Sequence, residues 1–403
     1  MFCALAEYVW TQENSKTVLI NPVSLSKKNY DDFFEFTDFS EKDVVIVKGT
    51  PKEREMIYKS GAKVFIIGSD MFGRENQKLP SDVRCCIIDE SHLSYASIES
   101  QRTQSLGRNR KRFDRMLFCT ATPVGDRYSA IYPTVACINP LYYGNYKRFL
   151  QLHAVYDYWG HIVAWKNPQY ISEFLKTYSC GISFEEAYPN KTETLFIKEP
   201  CELSPELEKY YMEMEQDALV ELEDKYLEAN GPMIQSLRCR QILACPENLG
   251  ITLKQPLNKD ELLKTHLNRG SLVVFSMFHG EQKRIKKICD DMGISCEIMN
   301  GETSSMKRGE IDQRFRNGTT KVLICSPQVA GVGFNWEHVD EICFMSMTYS
   351  ASEFTQAIGR GNRGTRKKAL PVYLLSYDCK VEKRVLEIVK RKLKESEGVM
   401  LNA

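Results

Sequence analysis

The stretch Arg84-Cys85-Cys86-Ile87-Ile88-Asp89-Glu90-Ser91-His92 decides the fold. An apolar run that stops on two acids reads as a buried parallel strand with carboxylates at its carboxyl end, the edge at which open α/β sheets bind ligands. A second apolar run over 115–119 ends in the same way on Thr120-Ala121-Thr122-Pro123. Upstream, runs over 17–20, 43–47 and 63–67 alternate with polar, helix-like stretches, which predicts a parallel sheet flanked by helices. Downstream, runs over 272–277, 296–299, 321–325, 341–346 and 371–377 repeat the architecture without repeating the sequence. Two α/β lobes are therefore expected, a first over 1–136 and a second with a C-terminal helix over 261–403.

Helices are legible in the second half. Residues 281–292 place Ile285, Ile288 and Met292 on one face with Gly293 as a stop, and 306–316 end at Asn317-Gly318. Ser350-x-x-Glu353 reads as a capping box that starts the helix leading into Gln356. Between the lobes, 137–260 lose the strand-helix rhythm and read as an irregular, helical inter-lobe section. Tyr142, Tyr143, Tyr146, Phe149, Tyr156, Tyr158, Trp159 and Trp165 crowd one part of it. Packing against the first lobe accounts for such a cluster, and base stacking is the other use of exposed rings.

Composition narrows the class. With 54 Lys+Arg against 53 Asp+Glu there is no overall basic field, so nucleic-acid binding has to come from local patches. The 14 cysteines include no Cys-x-x-Cys pair and many sit inside apolar runs, which predicts buried thiols in a reducing compartment and no zinc site. No run approaches the roughly 18 apolar residues of a membrane span. A cytoplasmic or nuclear protein is expected, in the host cytoplasm if the source is a phage or virus.

The chemistry follows from residue types in order. Asp89 suits a magnesium ion on the β- and γ-phosphates of ATP, and Glu90 suits orienting or deprotonating the attacking water. His92 can couple that site onward, and Thr120 and Thr122 sit at the same rim, where they can sense the γ-phosphate. In Gln356-Ala357-Ile358-Gly359-Arg360-Gly361-Asn362-Arg363, residues 356, 360 and 363 share a face if the helix continues, and arginine supplies a fixed cationic fork for a transferring phosphoryl group. Gly331 and Gly333 let backbone approach a phosphate. No Gly-x-x-x-x-Gly-Lys-Ser/Thr loop occurs in the sequence.

These residues resemble the Swi/Snf-type branch of superfamily-two helicases, over most of the chain. The resemblance implies two RecA-like lobes. It places Pro22 and Ser24, after 18–20, in a loop that touches the nucleic-acid backbone, and Ser69 in the next such loop. Ser276 and Ser326 are similar to phosphate contacts of the second lobe. Leu203-Ser204-Pro205-Glu206 and 237–246 resemble the inter-lobe helices, and Asn300-Gly301-Glu302-Thr303 with 326–335 and 356–363 follow in family order. Ala121 stands where the branch often has glycine. Residues 1–10 resemble the helix that follows the phosphate loop, so the chain is expected to begin just after the site that grips ATP.

Arg108, Arg110, Lys111 and Arg112 form a basic loop between the acidic and Thr-Ala-Thr motifs, suited to sequence-independent phosphate contact. Arg366-Lys367-Lys368 and 380–394 are further basic patches. The reading is an ATP- and Mg2+-dependent helicase or translocase, acting as a monomer on DNA in preference to RNA. The alternative is a helicase-like nucleic-acid-binding scaffold without catalysis.

Overall fold

A computed structural model of the chain describes residues 1–182, 186, 188–189, 192–222, 226–330, 333–362 and 366–400, with the backbone alone at 305 and 398–400. Two compact units emerge, one of Met1–Gly181 with Lys392–Ala403 and one of Ile182–Arg391. In the first, β1 (Lys16–Asn21), β2 (Val44–Ile46), β3 (Val64–Gly68), β4 (Val83–Ile88) and β5 (Arg115–Phe118) make a parallel sheet ordered β2-β3-β1-β4-β5. Period-2 alternation sorts its side chains into two cores. Val18, Ile20, Phe65, Ile67, Cys86 and Ile88 face one layer, while Leu19, Val64, Ile66, Cys85 and Ile87 face the other. A sheet buried on both faces needs continuous apolar runs, which is why these strands were readable.

The aromatic stretch divides. Tyr142, Tyr143, Tyr146, Phe149 and Trp165 pack in a separate cluster with Tyr128, Tyr132 and Phe174. Out of that cluster rises an antiparallel hairpin, β6 (Ala154–Tyr156) and β7 (Ile162–Trp165), which carries Tyr156, Tyr158 and Trp159 into solvent.

The second unit contains β8 (Thr194–Cys201), a short hairpin of β9 (Leu219–Glu221) and β10 (Tyr226–Glu228), and β11 (Leu272–Phe275), β12 (Cys296–Met299), β13 (Val322–Cys325), β14 (Glu341–Phe344) and β15 (Leu370–Tyr377). Its parallel sheet is ordered β12-β13-β11-β14-β15-β8. The α/β class with two RecA-like parallel-sheet lobes is thus the observed architecture. Strand β8 falls in the stretch where the sequence shows no strand rhythm. It lies at the sheet edge with half of its side chains exposed and a proline at 200, and its apolar run is limited to Leu195-Phe196-Ile197. Helices Pro205–Asp217 and Pro232–Ala244 pack with the β9-β10 hairpin in one core.

The helix stops behave as their residues predict. Helix His279–Asp291 is followed by Gly293 at φ 69°, and Ser305–Arg316 by Gly318 at φ 80°. At Ala351–Gly359 the Ser350 Oγ accepts the Glu353 N–H at 3.1 Å. The return half of the box differs: the Glu353 carboxylate takes the Thr348 hydroxyl at 2.7 Å, and Thr348 Oγ1 accepts the Ser350 N–H. All 14 cysteines are free thiols. Among the described residues no helix is long and apolar enough to cross a membrane.

Candidate functional site

In the first unit β1 lies between β3 and β4, so the chain's crossovers diverge on either side of β1 and leave a crevice at the carboxyl ends of β1 and β4. Asp89 extends β4 into this crevice, its N–H donating to the Ile20 carbonyl at 2.8 Å. Its carboxylate accepts Asn29 Nδ2 at 2.9 Å and the Glu90 N–H at 3.0 Å. Each oxygen keeps a further lone pair, so Asp89 offers the hard oxygen donors that magnesium takes.

Glu90 caps the strand at φ 47°, ψ 49°, a left-handed conformation that costs a non-glycine residue roughly 1–2 kcal/mol. The turn aims the chain back, and Ser91 N–H donates to the Cys119 carbonyl at the end of β5 at 3.0 Å. His92 Nδ1 lies 2.9 Å from Thr120 Oγ1 and 3.4 Å from Glu90 Oε2. Thr120 Oγ1 in turn accepts the Thr122 N–H at 3.0 Å. Asp89, Glu90, His92, Thr120 and Thr122 are therefore one connected cluster. Burial and the Asp89 and Glu90 charges push the neighbouring Cys119 thiol up to about 12, as expected beside concentrated negative charge.

Burial lowers His92 to about 4, with Asp126 opposing the shift. The ring is neutral at physiological pH. Since the unfolded chain binds a proton near 6.5 and the folded one near 4, stability from this site is whole above 6.5 and declines as pH falls from 6.5 towards 4. The loss approaches about 3 kcal/mol at the acid end. Thermal midpoints of wild type and His92→Gln should converge across that window as the wild type falls; parallel curves would refute a buried neutral imidazole.

At the same edge Val23 packs over Gly68, where a Cβ would come within 2.8 Å of Val23 Cγ2. This contact brings the loop of Pro22 and Ser24 beside Ser69. Ser24 is exposed, whereas Ser69 is buried at the start of helix Ser69–Glu75. Asn21 and Asn29, both buried at this edge, escaped the sequence reading because no motif marks either one. Asn21 Nδ2 has no hydrogen-bond partner among the described residues.

The basic loop is less available than its composition suggests. Arg112 donates to the carbonyls of Asn76, Leu79 and Pro80, at 2.8, 2.8 and 2.5 Å, and Arg110 to those of Cys137 and Ile138. These guanidinium groups are held against backbone carbonyls, whereas Arg108 and Lys111 are exposed. Arg366 is spent likewise on the carbonyls of Glu337, Val339 and Lys368.

In the second unit the helix carrying Gln356 spans Ala351–Gly359, and Arg360 follows it as the C-cap. Gly361 stops the chain against the core, where an added Cβ would lie 3.1 Å from Ile342 and Leu370. Arg360 sends Nε to the Ala330 carbonyl at 2.7 Å and Nη1 to that of Phe334 at 3.4 Å, fastening the loop in which Gly333 takes φ 77°. Arg363 and Gly331 lie outside the described residues. Ser276 is fully buried and donates to Glu281 Oε2 at 2.6 Å, with Ser346 on the same oxygen. In this conformation its hydroxyl reaches no external phosphate. Ser326 is half-buried, and its carbonyl takes the N–H groups of Val329 and Ala330.

His266, Glu341 and Cys343 bring ligand atoms within 4.8 Å of one another. Both ring nitrogens of His266 already meet carboxylates, Glu341 at 2.9 Å and Glu199 at 3.0 Å, so the group reads as a structural pin.

Residues 258–365 match the family described as Helicase conserved C-terminal domain. An uncharacterized ATP-dependent helicase of Mycoplasma pneumoniae is 24% identical over 404 residues, covering 97% of this chain and 38% of that protein. The ATP-dependent rRNA helicase RRP3 of Scheffersomyces stipitis is 22% identical over 123 residues, 30% of this chain and 25% of its own length. The C-terminal part of the Fun30 ATPase domain overlays with TM-score 0.42 and 11% identity, covering 52% of this chain and 97% of that one. The chain thus spans well under half the length of these two curated relatives. The C-terminal part of the chain thus matches a helicase domain, and the chain is similar to proteins described as ATP-dependent helicases.

Proposed function

We propose that this chain is the core of an ATP-dependent helicase or translocase of Swi/Snf type that couples hydrolysis to movement on nucleic acid, DNA in preference to RNA. The observation that carries the reading is the cluster in which Asp89 and Glu90 meet Thr120 through His92. In it Asp89 would hold magnesium, whose chemistry when bound is to neutralise phosphate charge. Glu90 orients the attacking water and accepts its proton, and His92 passes the state of that carboxylate to Thr120 and Thr122. We assign the cationic fork for the transferring phosphoryl group to Arg363 and, more weakly, to Arg360, which also holds its own loop. Lobe closure on binding and opening on hydrolysis would then step the grip along a strand.

The test is ATP turnover with no nucleic acid, single-stranded DNA, duplex DNA and RNA. Stimulation by DNA above RNA supports the reading, and binding without turnover under every condition would leave a scaffold in its place.

Neutralising Arg108 and Lys111 together should lower the slope of log affinity against log salt by about 1.4–1.8, at roughly 0.7–0.9 for each lost phosphate contact. Arg112→Ala should instead lower the thermal midpoint, since it strips donors from three carbonyls. An unchanged slope in the double variant places the loop away from the nucleic acid.

A further inference from the structure

The β6-β7 hairpin exposes apolar side chains on both faces. Val155, Tyr156, Ile162 and Val163 are all more than a third exposed, and at the tip Tyr158 is 93% and Trp159 79% exposed. Burial of the cluster beneath explains none of these residues. Strands rise about 3.3 Å per residue, so the tip stands about 13 Å beyond Ala154.

The tip is nevertheless ordered. Asp157 Oδ1 accepts the N–H groups of Trp159 at 2.9 Å and His161 at 2.8 Å, and its own N–H donates to the His161 carbonyl at 2.9 Å. The rings of Tyr158 and Trp159 meet edge to face, 5.3 Å between centroids. Two large aromatic groups are thus fixed in water before any partner arrives, which removes part of the ordering cost of binding.

The surrounding charge indicates the partner. Lys147 and Arg148 are exposed on helix Tyr146–His153, which runs into β6, and Lys166 follows β7, its N–H donating to the His153 carbonyl at 2.8 Å. From 127 to 172 the sequence contains one acid, Asp157, and the turn consumes it. Exposed rings at the tip, with cations flanking the hairpin's base and Asp157 the one acid from 127 to 172, match a chain of bases and phosphates. An apolar protein surface would leave the cations unmatched.

We infer that this hairpin is a stacking platform for single-stranded nucleic acid, Tyr158 and Trp159 taking unpaired bases while Lys147, Arg148 and Lys166 meet the phosphates. The inference rests on the nucleic-acid reading above and adds to it a site selective for unpaired bases. The test measures anisotropy of a labelled oligothymidylate and of a labelled duplex, with the full chain and with Tyr158→Ala/Trp159→Ala. Stacking contributes about 1–3 kcal/mol per base, so loss of both rings should lower single-strand affinity by at least roughly 5- to 150-fold, the effect of one base. Duplex affinity should change less than about twofold, Trp159→Phe should keep most of the single-strand affinity, and oligothymidylate should quench Trp159 emission. Unchanged far-UV dichroism confirms that the double variant folds.

Equal single-strand affinity in wild type and double variant would overturn the inference while leaving nucleic-acid binding intact. An equal loss on duplex would also overturn it. A wild-type chain that binds neither oligonucleotide sinks the broader reading as well, and a protein partner lost on the same substitution would then identify the hairpin's occupant.

Discussion

Glu90→Gln keeps ATP binding and lowers nucleic-acid-stimulated turnover by about 10²- to 10⁴-fold in any form of the protein that hydrolyses ATP. The amide is isosteric, so the left-handed turn and the contact with His92 survive, but it cannot accept a proton from water. Asp89 keeps both of its hydrogen bonds, from Asn29 and from the backbone at 90, so the cluster should hold its shape. The result to measure is single-turnover hydrolysis beside equilibrium nucleotide binding. Parental turnover by the glutamine variant removes Glu90 from the mechanism, and loss of binding as well assigns it to holding the nucleotide.

The second large effect concerns the second unit. Lys259 is 3% exposed on helix Asn258–Leu267, and its Nζ donates to Glu382 Oε1 at 2.5 Å and the Met345 carbonyl at 3.0 Å, 4.7 Å from the Tyr377 ring centre. Glu382 also takes the Tyr377 N–H at 2.5 Å. Seven residues on, His266 joins the same helix to Glu199 on β8 and Glu341 on β14. Lys259→Met fills the volume but strands a carboxylate and a carbonyl, and breaking a buried pair from one side costs about 3–5 kcal/mol. Urea unfolding should show that loss. A companion Lys259→Met/Glu382→Gln, which removes both charges and keeps an acceptor for the Tyr377 N–H, should recover most of it, and a stable single variant would mean that water already serves the pair.

The central strands of both sheets were legible because they are buried on two faces and must be apolar, as 85–88 and 322–325 are. Strand β8 was not, because an edge strand answers to backbone pairing with β15 and leaves its side chains free to be anything. The acid pair and the threonines were legible as motifs, and the structure adds the contact that joins them, His92 to Thr120, which spacing alone could not fix. Charge was the least transparent. Nothing in Arg108-Asn109-Arg110-Lys111-Arg112 distinguishes a solvated guanidinium from one that caps carbonyls, since that depends on which chain ends pass nearby. The helix into Arg360 stops early because Gly361 must lie flat on Ile342 and Leu370, a packing constraint with no local signature.

The left-handed backbone at Glu90 sets two selective pressures against each other. Glycine or asparagine would relax the turn, by up to about 1–2 kcal/mol for glycine, and each would discard the carboxylate that the proposed function needs. A lineage that ceased to need hydrolysis would gain stability by drifting to either residue. On the function proposed above, glutamate at this strained position would be a signature of continuing use, and glycine there in a sister protein would mark where activity was abandoned.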